Sequence, residues 1–97
     1  MRDYEVTVIL KPDLEDETRK EILGRVEGWL AQDSGDEAEL KANHWGLKIL
    51  AYPIKKYTEG YYVYYEVSLN PAGISEIERN ITYVDEILRH LVVRKDD

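Results

Sequence analysis

Residues 61–69 read Tyr-Tyr-Val-Tyr-Tyr-Glu-Val-Ser-Leu, and this run constrains the fold more than any other stretch of the chain. Aromatic and β-branched residues favour an extended strand, in which successive side chains point to opposite faces. Tyr61, Val63 and Tyr65 then share one face, and Tyr62 and Tyr64 share the other. The chain has 97 residues, enough for a single core and too few for two. One face of this strand therefore packs on the protein's own helices, and the other needs a cover from elsewhere.

The rest of the chain supplies the partners of that strand. Residues 4–10, YEVTVIL, alternate and are β-branched, which predicts a first strand. After Lys11-Pro12, Asp13 is placed to cap a helix with Asp16 three positions on, and Ile22, Val26, Trp29 and Leu30 recur at helical spacing to about residue 31. Asp33-Ser34-Gly35 reads as a turn, followed by an extended stretch over 37–52 with a bulge at Gly46 and a stop at Pro53. Thr58-Glu59-Gly60 reads as the turn into the tyrosine strand. Asn70-Pro71 opens a short helix marked by Ile74, Ile77 and Ile81, and ILRHLVV, residues 87–93, forms the last strand.

The order is β-α-β-β-α-β over a single domain spanning residues 1–97, the ferredoxin-like α+β plan: a four-stranded antiparallel sheet with both helices on one face. Val6, Val8 and Leu10 are expected under the helices. On the open face the expected set is Glu5, Thr7 and Ile9 from the first strand, Tyr62 and Tyr64 from the tyrosine strand, and Arg89, Leu91 and Val93 from the last. That face is apolar and aromatic in the middle and charged at its rim, the pattern of a contact surface.

Charge and composition narrow the function. There is no cysteine, hence no disulfide framework, thiolate nucleophile or cysteine-ligated zinc. His44 and His90 lie on different predicted strands with no third ligand at a familiar spacing, so no metal or other cofactor is expected. No apolar run approaches the length of a membrane span, and no leader pattern precedes the first strand, so a cytoplasmic protein is expected. The net charge of −7 opposes nucleic acid, but it is unevenly placed. Residues 1–39 hold twelve acids against five bases, residues 40–97 hold eight of each, and residues 40–58 carry Lys41, Lys48, Lys55 and Lys56 with no carboxylate. A local basic site is compatible with that distribution.

The stretch WGLKILAYPIKKYTEGYY, residues 45–62, resembles the signature region of the family of protein six of the bacterial small ribosomal subunit. The string Leu50-Ala51-Tyr52-Pro53-Ile54, followed by Lys55 and Lys56, carries most of the likeness. Met1-Arg2-Asp3-Tyr4-Glu5 and Arg89-His90-Leu91-Val92-Val93-Arg94 are similar to that family's first and last strands. The resemblance implies a structural, non-enzymatic constituent of the ribosome that pairs with protein eighteen of the small subunit and, with it, binds the small-subunit ribosomal RNA during platform assembly. It further implies phosphate contacts by Arg2, Lys48, Lys55, Lys56, Arg89 and Arg94 along one basic edge, and partner contacts by Tyr52, Tyr62, Tyr64 and Leu91. Leu47 and Ile49 depart from the pattern, standing where many relatives have arginine or lysine.

Three other readings fit parts of the sequence. Glu59-Gly60-Tyr61-Tyr62-Val63-Tyr64-Tyr65 superficially matches the aromatic motif of an RNA-recognition motif that stacks single-stranded bases, with Tyr4 as its only candidate first-strand aromatic. A small hydrolase of acylphosphatase type shares the plan but needs an arginine-bearing anion cradle after the first strand, where this chain has Lys11-Pro12-Asp13 followed by acids. A redesigned sequence that keeps the fold without its binding would also read this way.

Overall fold

The computed structural model describes residues 2–34 and 40–95. The chain runs β1 (Arg2–Leu10), α1 (Asp16–Ser34), β2 (Lys41–Ile54), β3 (Tyr57–Leu69), a 3-10 turn (Pro71–Gly73), α2 (Ile74–Thr82) and β4 (Ile87–Arg94). The four strands form one antiparallel sheet in the order β2-β3-β1-β4, as the β-α-β-β-α-β plan requires. No helix among the described residues is long and apolar enough to cross a membrane.

Alternation divides the sheet cleanly. Val6, Val8 and Leu10 of β1 and Val63, Tyr65, Val67 and Leu69 of β3 pack against Ile22, Leu23, Val26 and Leu30 of α1 and Ile77 and Ile81 of α2. Tyr65 is fully buried, and its hydroxyl donates to Glu27 Oε2 at 2.9 Å, so a buried polar tip is satisfied by a helix side chain. Tyr61 is only half-buried. It packs at the edge of this core, the Arg19 guanidinium lies 4.2 Å from its ring centre, and its hydroxyl sits 3.4 Å from His44 Nδ1. Tyr61 and Tyr65 share the core face as expected, but only Tyr65 is fully buried; Tyr61 lies at the core's edge, covered by Arg19.

Local signals were displaced at four places. α1 begins at Asp16, with the Arg19 amide donating to the Glu15 carbonyl at 2.9 Å; the Asp16 carboxylate takes Arg19 Nη1 at 3.0 Å, so Asp13 does not start the helix. Asp33 and Ser34 continue that helix, and the Asp33 carboxylate accepts the Asn70 amide at 3.0 Å; Gly35 and residues 37–39 of the expected turn and strand lie outside the described residues. Pro53 lies inside β2, where its missing N–H is tolerated because β2 is an edge strand.

The hairpin turn is Lys55-Lys56, between the paired residues Ile54 and Tyr57, whereas Thr58, Glu59 and Gly60 belong to β3. Lys55 and Lys56 both have positive φ, 49° and 73°, the signature of a two-residue primed turn that usually selects asparagine and glycine. Gly46, at φ 81°, sits at the register shift after His44, the bulge its position predicts.

Burial and the Glu27 contact give Tyr65 a measurable signature. Tyr65→Ala is expected to cost about 3–5 kcal/mol of folding free energy, and Tyr61→Ala about 1–2 kcal/mol, in denaturant titrations. Burial first, then the Glu27 charge and hydrogen bond, push the Tyr65 phenol well above its ordinary value. A raised pKa means that the folded state holds the proton more tightly, so this stabilisation is complete below about pH 10 and is lost as pH rises through the folded value. Tyr65→Phe is expected to start lower at pH 7, by about 1 kcal/mol, yet to lose less stability than the parent between about pH 10 and 11.

Candidate protein and RNA interface

Between Ile49 and Ile54 the pairing of β2 with β3 slips, so that Leu50-Ala51-Tyr52-Pro53 faces only Thr58 across the hairpin. The surplus residues curl the hairpin over one end of the open sheet face. Gly60 permits the approach: a Cβ there would stand 2.4 Å from Ile9 Cγ2 and 3.5 Å from Leu50 Cδ2. Leu50, Ile9 and Leu88 consequently form a second buried cluster, flanked by Ile54, Tyr57 and Tyr62. The protein covers part of its open face with its own hairpin.

The curl carries Tyr52 from β2 across β3 and β1 to β4, where its hydroxyl accepts Arg89 Nη1 at 2.8 Å. That bond, the main influence, favours the charged form of Arg89 and raises its pKa further. Lys55 at the tip then lines a hollow with Arg89 and His90. The hairpin tip and the start of β4, distant in sequence, are brought together at one corner.

On the remainder of the open face Tyr62 and Tyr64 are half-buried, while Trp45, Leu91 and Val93 are exposed. Tyr64 stacks on Trp45, with ring centres 5.2 Å apart and planes 8° from parallel, and Lys48 Nζ lies 5.9 Å from the Trp45 ring centre. Tyr62, with Trp45, Lys48 and Ile49, lines a shallow apolar depression beside that stack. The Tyr64 hydroxyl sits between the carboxylates of Glu5 and Glu66, bonded to the first and 3.2 Å from the second, and the Glu5 bond, followed by burial and both charges, pushes its pKa well up. Glu5 and Glu66 are direct cross-strand partners, a like-charge pair that the tyrosine separates. Leu91, opposite Thr7, and Val93, opposite Glu5, are 58% and 43% exposed.

The six expected cations do not form one edge. Lys55, Lys56 and Arg89 gather at the hairpin end, and Lys48 lies along β2. Arg2, opposite Leu69, and Arg94, opposite Tyr4, stand at the other end of the sheet; at ~3.3 Å per residue Arg2 lies about 23 Å along β1 from Ile9, the residue opposite Arg89, and Arg94 about 17 Å along β4 from Arg89. Antiparallel register imposes this separation, because the start of β1 and the end of β4 meet where the hairpin tip does not reach. Trp45, exposed on this face and stacked on Tyr64, is absent from the expected set; its position beside the predicted Gly46 bulge, which turns one residue out of the ladder, was the available signal. Tyr4 is buried under the helices, so no first-strand aromatic is available for a base-stacking platform.

Comparison with known proteins agrees with the fold and with the signature stretch. A family model described as ribosomal protein S6 matches residues 3–94. The small ribosomal subunit protein bS6 of Desulforudis audaxviator is 41% identical over 96 residues, covering 99% of this chain and 100% of the relative. That of Caldanaerobacter subterraneus subsp. tengcongensis is 38% identical over 97 residues, with both chains fully covered. The crystal structure of 30S ribosomal protein S6 from Thermotoga maritima matches with a TM-score of 0.87 at 26% identity, covering 97% of this chain and 87% of that one. With sequence, length and fold in accord, the chain belongs to the ribosomal protein S6 family and is a structural, non-enzymatic constituent of the small subunit of the bacterial ribosome.

Proposed function

We propose that this chain is an adaptor: its open sheet face binds protein eighteen of the small subunit, and its hairpin-end cations then hold the small-subunit ribosomal RNA. The observation that carries this reading is the uncovered aromatic and aliphatic face, on which Trp45, Tyr52 and Leu91 are 51%, 60% and 58% exposed although the fold has cover for others of its class. Apolar side chains gathered on one sheet face mark a contact surface. Glu5 and Glu66 on that face favour a basic partner, the charge an RNA-binding companion would bring.

The hairpin turn supports the RNA half. Two lysines held at positive φ, where glycine or asparagine would be easier, cost roughly 1–2 kcal/mol each. Strain of this kind concentrates at functional sites, and here it fixes two cations at the hairpin tip. Lys48, Arg2 and Arg94 extend the candidate phosphate contacts, on separate parts of the surface. Phosphate contacts of this type position the complex without reading sequence.

Calorimetry with purified protein eighteen tests the partner face. Trp45→Ala and Leu91→Ala are expected to weaken the protein–protein step by about 1–3 kcal/mol with little loss of folding stability. Tyr64→Ala should weaken both, since it carries the Trp45 stack. Unchanged affinity in all three variants would place the partner elsewhere. Lys55→Ala with Lys56→Ala is expected to leave the protein–protein step intact while weakening RNA binding by the pair and flattening its log–log salt slope by about 2.

A further inference from the structure

The hairpin tip, the end of α2 and the start of β4 border a half-open hollow of about 290 Å3. Its floor is apolar, for Ile81 and Ile87 belong to the main core and Leu88 to the second cluster. Its rim carries two cations, Lys55 from the tip and Arg89 from β4, beside the His90 ring and the Thr82 hydroxyl. No carboxylate lines it among the described residues. Glu78 on α2 lies behind the rim, its Oε2 3.9 Å from His90 Nε2, and the Thr82 hydroxyl is engaged by the Glu78 carbonyl at 2.8 Å. Glu78 offsets any charge on His90, so attraction for an anion is left to Lys55 and Arg89.

We propose that this hollow receives one unpaired nucleotide of RNA, its phosphate on Lys55 and Arg89 and its base on the apolar floor beside the His90 ring. The inference rests on the RNA reading above and deepens it: at this corner the protein holds a base as well as a phosphate. A phosphate alone has no use for an apolar floor. The volume stands just below the ~300–1,000 Å3 of ligand pockets, the scale of a single nucleotide rather than of a duplex groove. RNA is read in sequence where bases are splayed out and stacked on planar side chains, histidine among them, and His90 stands at this rim. Tyr52 holds the Arg89 guanidinium at 2.8 Å before any ligand arrives, so less side-chain freedom is lost on binding.

The two histidines of the chain make the site and a control separately visible by proton NMR. His90 lines the hollow, and His44 lies on β2 beside Tyr61. The full chain is titrated with uridine 5′-monophosphate and adenosine 5′-monophosphate, then with uridine and with inorganic phosphate, at a fixed pH above the histidine range. The His90 ring signals are expected to shift and saturate with at least one nucleotide in the millimolar range while His44 stays still. Uridine and phosphate should each bind about tenfold more weakly, as should the nucleotide to Lys55→Gln, a change at an exposed residue. A still His90 signal, joint movement of both histidines, or phosphate matching the nucleotides would overturn the inference. RNA binding by the chain together with protein eighteen, measured in parallel, separates the two readings: its survival alongside a silent His90 removes the hollow and leaves the adaptor in place.

Discussion

The approach of Gly60 to Ile9, where a single added carbon would stand 2.4 Å from a methyl group, is the constraint on which the functional surface depends. It lets the β2–β3 hairpin fold across the end of β1 instead of projecting straight beyond it. Leu50 then reaches Ile9 and Leu88, Tyr52 reaches Arg89, and Lys55 comes to the rim beside His90. The stretch Leu50-Ala51-Tyr52-Pro53, three residues longer than the strand opposite it, provides the length for this path, and Pro53 is accommodated because among the described residues no strand lies beyond β2. Curl, second cluster and cation corner are consequences of one close contact.

The sheet also separates charges that would otherwise cancel. Asp16, Glu17, Glu21 and Glu27 ride on α1, on the helix side, while Lys48, Lys55 and Arg89 lie at the open face and the hairpin end. A chain of net charge −7 can therefore present a local positive field, although the acids weaken it at long range. On the open face, Glu5 and Glu66 flank Tyr64, and Lys95 Nζ lies 3.5 Å from Glu66. Carboxylates in the middle of this face and cations at the hairpin end suit a partner that is itself basic and contacts RNA beside it.

Much of this was legible in the residues because β-strand alternation has a rigid period of two. Val6, Val8 and Leu10 facing the helices, Tyr65 in the core and Leu91 outside all follow from that period once the element order is known. The bulge at Gly46 was legible for a similar reason, an isolated glycine inside a strand. The hairpin turn was not, since Lys55-Lys56 adopts backbone angles that lysine rarely takes, whereas Thr58-Glu59-Gly60 has ordinary turn composition. Gly60 was present for close packing against Ile9, a tertiary reason that no local pattern encodes. The same long-range curl made Tyr52–Arg89 and the corner hollow invisible beforehand, and antiparallel register placed Arg2 and Arg94 at the wrong end for a single basic edge.

The central claim is that an acidic chain with a small cationic corner holds RNA only in company. Filter binding of a central-domain fragment of the small-subunit ribosomal RNA, by the chain alone and with protein eighteen across a salt series, tests it most directly. With about four phosphates neutralised by this chain, its own contribution has a log–log slope of about −3 to −4, a loss of roughly a hundredfold between about 50 and 200 mM salt. The account predicts no measurable binding by the chain alone near physiological salt and clear binding once the partner is added. Tight, salt-insensitive binding by the chain alone would contradict it.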